Sequence, residues 1–267
     1  MKKPNPRTLD VVATRYITPN MCRITLGGAG LMGFPDDQDS AYIKLLFPSD
    51  NEDTQKLDSV QHPENTQKSE RVSKPLMRTY TVSVQRDNEI DVDFAMHNAK
   101  GPASMWAQHA KVGDQILISG PGPKKLINED ADWFLLVGDM TALPAISVNL
   151  AQLPADARGY AVLEITDEVD RQVLKKPENV EIYWVINASP NTDSSPLLDH
   201  VQQLEWLQGQ PAVWAACEFH SMRALRHYFK VERLVPKTHL YISSYWKIDS
   251  NEDQHKIIKR EDAQEAD

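Results

Sequence analysis

Arg78-Thr79-Tyr80-Thr81 sets a guanidinium, an aromatic ring and two hydroxyls on four consecutive residues. A flavin asks for those groups: an aromatic beside its ring, donors at its polar edge and a cation at its pyrophosphate. If the segment is a strand, Arg78 and Tyr80 share one face and Thr79 and Thr81 the other. The same residues also suit a plain strand with a surface arginine. Further on, His97-Asn98-Ala99-Lys100-Gly101-Pro102-Ala103-Ser104 reads as a turn that feeds Pro102 into the first position of a helix. The amino end of a helix carries N–H groups and partial positive charge, which suits a phosphate. The plainer alternative is a capped helix that closes a barrel.

Two other segments lie in the second half. Gly138-Asp139-Met140-Thr141-Ala142-Leu143-Pro144 follows an apolar run and opens a helix. Parallel sheets bind ligands at such strand ends, but the G-x-G-x-x-G fingerprint is missing, and an ordinary strand-to-helix turn reads the same way. Tyr241-Ile242-Ser243-Ser244-Tyr245-Trp246-Lys247 ends another apolar run. Its aromatics and lysine suit a planar, anionic ligand, or equally core packing with a snorkelling lysine. The histidines form no H-E-x-x-H pattern and no triad with an elbow serine. Cys22 and Cys217 stand far apart, which excludes an iron–sulfur cluster and zinc sites of the usual spacing. No metal site is expected.

These groups need elements to position them. Leu9–Tyr16, Met21–Leu26, Ala41–Phe47, Met77–Val84, Ile90–Met96 and Gln115–Ser119 read as short strands, several alternating apolar and polar. Six such strands predict a closed antiparallel barrel. Ile90–Phe94 is the clearest, apolar on one face and acidic on the other. The polar stretch 48–74 reads as a long solvated loop. After residue 130 the period changes. Trp133–Val137, Gly159–Ile165, Val180–Val185, Ala212–Ala216 and His239–Ser243 read as buried strands. Helices over Thr141–Leu150, Ser195–Leu204 and Glu218–Lys230 alternate with them, which predicts a parallel sheet covered by helices. The expected plan is a two-domain β + α/β chain: a six-stranded antiparallel barrel over 1–127, then a parallel-sheet α/β domain over 128–267 with a helix-prone tail.

The whole chain of 267 residues carries a net charge of −9. That argues against a nucleic-acid partner, which needs a basic surface. Two thiols, no apolar leader segment and no run long enough to span a bilayer predict a cytoplasmic protein with no membrane partner. No heptad or broad apolar stripe predicts assembly, so a monomer is expected.

Taken in this order, the segments resemble the siderophore-interacting proteins, a family of flavin-dependent ferric-siderophore reductases. The matching residues are Arg78–Thr81, His97–Ala107, Gly120-Pro121, Gly138–Ile146, Glu218–Arg226 and Tyr241–Lys247, with Glu252–His255 and Lys259-Arg260 behind them. The resemblance runs from about Leu9 to Ala263 by the logic of motifs in context. It implies a fold similar to ferredoxin–NADP reductases: a flavin-binding barrel followed by a nucleotide-binding-like α/β domain. It also implies FAD, with Arg78, Thr79, Tyr80 and Thr81 on the barrel, and His97, Gly101, Pro102, Ala103 and Ser104 around its ribityl and pyrophosphate. Thr141, Ala142, Tyr245 and Trp246 would lie near the isoalloxazine. Lys44, Lys124, Lys125 and Lys247 match the basic residues that receive an anionic ferric siderophore. No residue beyond the flavin is implied in catalysis.

The sequence departs from the family pattern at Met140, where the family often has Glu. It departs again at Cys217, which replaces a glycine before Glu218, and at Ile248-Asp249. Glycine at position 217 would let a dinucleotide approach the backbone. The electron donor is therefore read as NAD(P)H or a reduced ferredoxin. Two other readings stay open: a flavin or oxygenase-partner reductase of the same superfamily, and a siderophore-binding module without enzymatic activity.

Overall fold

The computed structural model describes residues 6–48, 75–96 and 101–265. Strands β1 Arg7–Thr18, β2 Met21–Gly27, β3 Tyr42–Phe47, β4 Leu76–Arg86, β5 Glu89–Ala95 and β6 Gln115–Gly122 close an antiparallel barrel in the order β1-β2-β5-β4-β3-β6. Their period-two patterns fill it: Ile24, Leu26, Ile43, Leu45, Val82, Ile90, Val92, Phe94 and Ile118 are all fully buried. Helix α1, Pro102–His109, lays Ala103, Trp106 and Ala107 on the same core. The stretch read as a long loop falls almost wholly outside the described residues, as does His97.

The acidic face of β5 is not a wet face. Asp91 and Asp93 are buried beneath arginines. Arg23 donates to both oxygens of Asp93 at 2.6 and 2.7 Å, and Arg86 to both oxygens of Asp91 at 2.9 and 2.6 Å. Thr25 and Ser83 hydroxyls donate to the remaining lone pairs. Bidentate pairing of this kind lets carboxylates leave water.

The second half forms a parallel sheet in the order β11-β10-β7-β8-β9. Its strands are β7 Trp133–Gly138, β8 Gly159–Ile165, β9 Val180–Ile186, β10 Pro211–Glu218 and β11 Leu240–Trp246. Helix α2, Leu143–Gln152, covers one face, where Ile146 and Leu150 meet Leu136 and Trp214; Met21 of the barrel joins that cluster. Helices α3, Pro196–Gln203, and α4, Phe219–His227, cover the other through Leu197, Val201, Leu225 and the adjoining Phe229. Helix α2 begins two residues later than expected, because Thr141 is held in a turn by Asp139. Helix α4 gives way to a π-helical turn over Tyr228–Glu232.

Three ties join the layers. Buried Asp170 accepts from the Thr18 hydroxyl at 2.7 Å, the Asn20 backbone at 3.0 Å and the Asn20 amide at 2.8 Å. The segment after β6 is pinned by Trp214, whose indole N–H donates to the Lys125 carbonyl at 2.7 Å. Helix α5, Glu252–Glu265, docks on α4 and β11. Arg226 donates to both oxygens of Asp262, at 2.6 and 2.8 Å, and Lys259 donates to Ser243 and to the Ser244 carbonyl.

Candidate functional site

Chain order along the sheet reverses at β7, with β8 and β9 on one side and β10 and β11 on the other. Open α/β sheets take ligands in the crevice outside the carboxyl ends of the strands at such a point. Gly138 ends β7 there. A Cβ on it would lie 2.7 Å from the Ala216 carbonyl oxygen and 2.8 Å from the Ala142 methyl, so only glycine allows the turn to close on β10.

The next residue organises the crevice. Asp139 accepts from the Thr141 backbone N–H at 2.9 Å and from the Thr141 hydroxyl. It also accepts from the Glu218 N–H at 2.9 Å and from the Trp246 indole N–H at 2.7 Å. One buried carboxylate therefore joins β7, β10 and β11, and brings Thr141 and Trp246 together. Burial pushes its carboxyl up, and the bonds from Thr141 and Trp246 oppose that rise.

Glu218 caps α4. Its Oε2 accepts from the His220 and Ser221 N–H groups, while Oε1 accepts from the Ile248 N–H at 3.2 Å and meets His220 Nδ1 at 3.0 Å. The far nitrogen of His220 lies 3.3 Å from Lys247 Nζ, and that ammonium sits 5.3 Å from the Phe219 ring centre. Glu164 is buried near Asp139 and Glu218. Burial first, and then those charges, push its carboxyl up to about 7. Cys217 lies among the three acids, its thiol pushed well up by burial.

On the barrel, β4 pairs with β3 so that Arg78 opposes Leu45 and Tyr80 opposes Ile43, while Thr79 opposes Lys44 and Thr81 opposes Tyr42. The expected alternation of faces is present. Tyr80 packs on Phe94 with ring centres 4.4 Å apart, and burial pushes its phenol up. Arg78 donates to its own neighbour, the Met77 carbonyl, at 2.9 Å. Thr79 donates through its N–H at 3.2 Å and its hydroxyl at 3.1 Å to Glu252, the first residue of α5. That contact ties β4 to the first turn of α5.

The other sequence-derived positions are distributed around this junction. Gly101 caps α1; a Cβ there would meet, among the described residues, the Ser104 hydroxyl at 3.6 Å and nothing nearer. Ser104 and Ala103 are buried in the first turn after Pro102. Tyr245 packs edge-on against Trp214 at 6.3 Å, on the sheet face that meets the barrel. Ala142 is buried in that same cluster. Lys44 is partly exposed beside Thr79 and Ser119. Lys124 is ion-paired with exposed Asp37 at 2.7 Å, and the Lys125 side chain is exposed. Lys44 thus stands next to Thr79, the residue that bonds Glu252, Lys247 stands at His220 and Phe219, and Lys124 is paired with Asp37. Asp139, Glu218, His220 and Glu252 were not expected as organising residues. A lone acid after a strand-end glycine, or at the start of a helix, was the available signal.

The residues that could hold a FAD are Arg78, whose guanidinium suits a phosphate, Tyr80, whose ring suits a flavin, the hydroxyls of Thr81 and Thr141, and the glycine-capped start of α1. Among the described residues, no three His, Cys, Asp or Glu side chains form a group able to hold a metal ion. No helix among them is long and apolar enough to cross a membrane.

Residues 10–125 match the model of the siderophore-interacting FAD-binding domain, and residues 131–249 match that of the siderophore-interacting proteins. The chain is 36% identical over 259 residues to the ferric vibriobactin reductase ViuB of Vibrio cholerae, covering 94% of this chain and 92% of that one. The siderophore-interacting protein SipS from Aeromonas hydrophila superposes with a TM-score of 0.82 at 30% identity, covering 98% of this chain and 99% of that one. A ferredoxin–NADP+ reductase from Plasmodium falciparum shares the fold, with a TM-score of 0.61 at 14% identity over 90% of this chain and 97% of that one.

Proposed function

The chain belongs to the siderophore-interacting protein family, and from that premise we propose how its residues serve a FAD-dependent ferric-siderophore reductase. FAD, when bound, accepts electrons from a donor and delivers them singly to Fe(III) held by the siderophore. The observation that supports this residue assignment is the contact of Thr79 with Glu252, which ties the Arg78–Thr81 strand to the first turn of α5, the helix that follows β11 and Lys247.

Arg78 and the amino end of α1, from Gly101 through Pro102, Ala103 and Ser104, hold the pyrophosphate, with His97 at the ribityl chain. Thr79, Tyr80 and Thr81 line the barrel side of the flavin. Thr141 and Ala142 line its sheet side, with Tyr245 and Trp246 nearby. Asp139 keeps Thr141 and Trp246 in place. Lys44 and Lys247 receive the anionic chelate, with Lys124 and Lys125 behind them; Lys124 joins by leaving Asp37. Each Fe(III) takes one electron, and the weaker hold of oxygen ligands on Fe(II) releases the metal. Residues 1–127 and 128–267 act as the two domains of a monomer in the cytoplasm, which two free buried thiols suit.

The donor is NAD(P)H or a reduced ferredoxin. Asp139, Glu164 and Glu218 crowd the carboxyl ends of the strands, where an open α/β sheet would take a nucleotide pyrophosphate. Those buried acids, with Cys217 in place of a glycine, weigh against tight nucleotide binding, which keeps a reduced ferredoxin beside NAD(P)H as the donor.

The test is anaerobic. Protein reconstituted with FAD shows flavin absorption bands and is reduced in parallel by NADH, NADPH or reduced ferredoxin. Ferric siderophore is then added with an Fe(II)-specific chelator. Rapid reoxidation of the flavin with colour at the chelator is expected. Reduced protein that leaves every ferric chelate untouched overturns the reading.

A further inference from the structure

We infer that His220 is a positioning residue for substrate: it aims the Lys247 ammonium at the ferric chelate through a Glu218–His220–Lys247 chain. The inference rests on the proposed role of Lys247 and adds to it a residue that touches neither flavin nor chelate.

Glu218 fixes the direction of each hydrogen bond. Both of its oxygens accept backbone N–H groups, Oε2 from His220 and Ser221 and Oε1 from Ile248. Oε1 also faces His220 Nδ1 at 3.0 Å. An oxygen already accepting there requires a donor, so Nδ1 carries the ring proton. The Lys247 ammonium has no lone pair and can only donate, so the Nε2 that faces it presents its lone pair. Lys247 Nζ stands 3.3 Å from it.

A lysine is a compact charge on a flexible stem with three rotatable donors. Here one donor is taken by His220, and the ammonium rests over the Phe219 ring. The Ile248 bond to Glu218 holds the backbone immediately after Lys247. Stem, base and head are thus tied to the same short segment, Glu218–His220. The remaining two N–H groups stay available to an anionic ligand, and less side-chain freedom is lost when it arrives.

Two near-isosteres separate the two bonds of the imidazole. His220→Asn keeps a donor towards Glu218 and removes the acceptor at Lys247. His220→Gln can present an oxygen near the Nε2 position. The probe is ferric tris(catecholate), a trianion, titrated at low ionic strength into oxidised, FAD-loaded protein and followed by quenching of flavin fluorescence. The expected loss is about threefold to tenfold in affinity for Lys247→Ala and for His220→Asn, the range of a partly exposed charge contact. His220→Gln should lie closer to wild type. The double variant His220→Asn/Lys247→Ala should be no weaker than Lys247→Ala alone, because the residues act as one unit. Thermal midpoints measured beside each titration identify any variant weakened by misfolding, and the His220→Gln comparison then decides.

Unchanged binding in Lys247→Ala overturns the substrate role of Lys247 and this inference with it. Weakened Lys247→Ala beside an unchanged His220→Asn, or fully additive losses in the double variant, overturns the inference alone.

Discussion

Asp139 accepts four hydrogen bonds from three residues, Thr141, Glu218 and Trp246, with almost none of its surface in water. Asparagine at this position fits the space but offers one accepting oxygen and an amide that donates. Either the two Thr141 donors or the Trp246 and Glu218 N–H groups would then face the amide and lose their acceptor. Asp139→Asn should cost about 1–3 kcal/mol of stability, the usual penalty for a stranded buried polar group. It should also weaken FAD binding by releasing Thr141 and Trp246. Denaturant unfolding and an FAD titration measure the two effects; unchanged midpoints and affinity would remove Asp139 from its organising role. The sequence could not display this residue's importance. Its partners lie 2, 79 and 107 positions away, and only the closing of the sheet brings them to one carboxylate. Arg78–Thr81 was legible because its chemistry lies within four neighbours. His220 was hidden for the reason that hid Asp139: its partner Lys247 arrives from another strand.

At the scale of elements, period did most of the predictive work. All eleven strands could be read from runs of apolar residues, because alternation in the barrel and continuous burial in the sheet leave different marks. Ends were less visible. Nothing in Thr141-Ala142 announces that Asp139 will delay the helix, and the buried acids of β5 look solvated until Arg23 and Arg86 are seen above them. Helix α5 was foreseen as helix-prone, but its docking was not, since its sequence is polar on nearly every side. Ion pairs, not an apolar stripe, hold much of it. Asp262→Ala removes the carboxylate that pairs with Arg226 and sits 3.3 Å from Arg223. The pair is partly screened, so a loss of roughly 1–2 kcal/mol is expected. Hydrogen exchange should then speed up across Glu252–Glu265 ahead of the rest of the chain. Equal protection in variant and wild type would show that Ser243, Ser244 and His255 suffice to hold the helix.

Over the whole molecule, charge is unevenly divided. Residues 1–130 hold 16 basic and 17 acidic side chains, and residues 131–267 hold 13 and 21. An anionic chelate approaches a surface that on average repels it, so its affinity must come from a few local lysines. Lys247→Ala should therefore lose most affinity at low salt and little at high salt, since exposed charges are screened over about 10 Å at 0.1 M. A loss independent of salt would place Lys247 outside the contact. The acids also give stability a pH dependence. Glu164 has its carboxyl pushed up to about 7 from 4.5, so the folded state holds its proton more tightly than the unfolded chain. Its contribution is fully present below about 4.5 and is lost as pH rises through about 7, by an amount on the order of 3 kcal/mol. Glu164→Gln should remove that decline. Urea midpoints at about pH 5 and pH 8 measure it, and parallel profiles for variant and wild type would refute it. His255, whose imidazole is held down by burial and by Lys259, slopes the opposite way and cancels in the comparison. One tie has a consequence for recombination. Asp170 is sealed beneath Thr18 and Asn20, three residues of one tight contact drawn from both halves of the chain. A barrel exchanged between relatives leaves this acid either matched or stranded in the dark. The unit that can be transplanted is thus the barrel together with the short helical turn Glu168–Asp170, and chimaeras cut at the linker alone risk leaving a buried acid without its two side-chain donors.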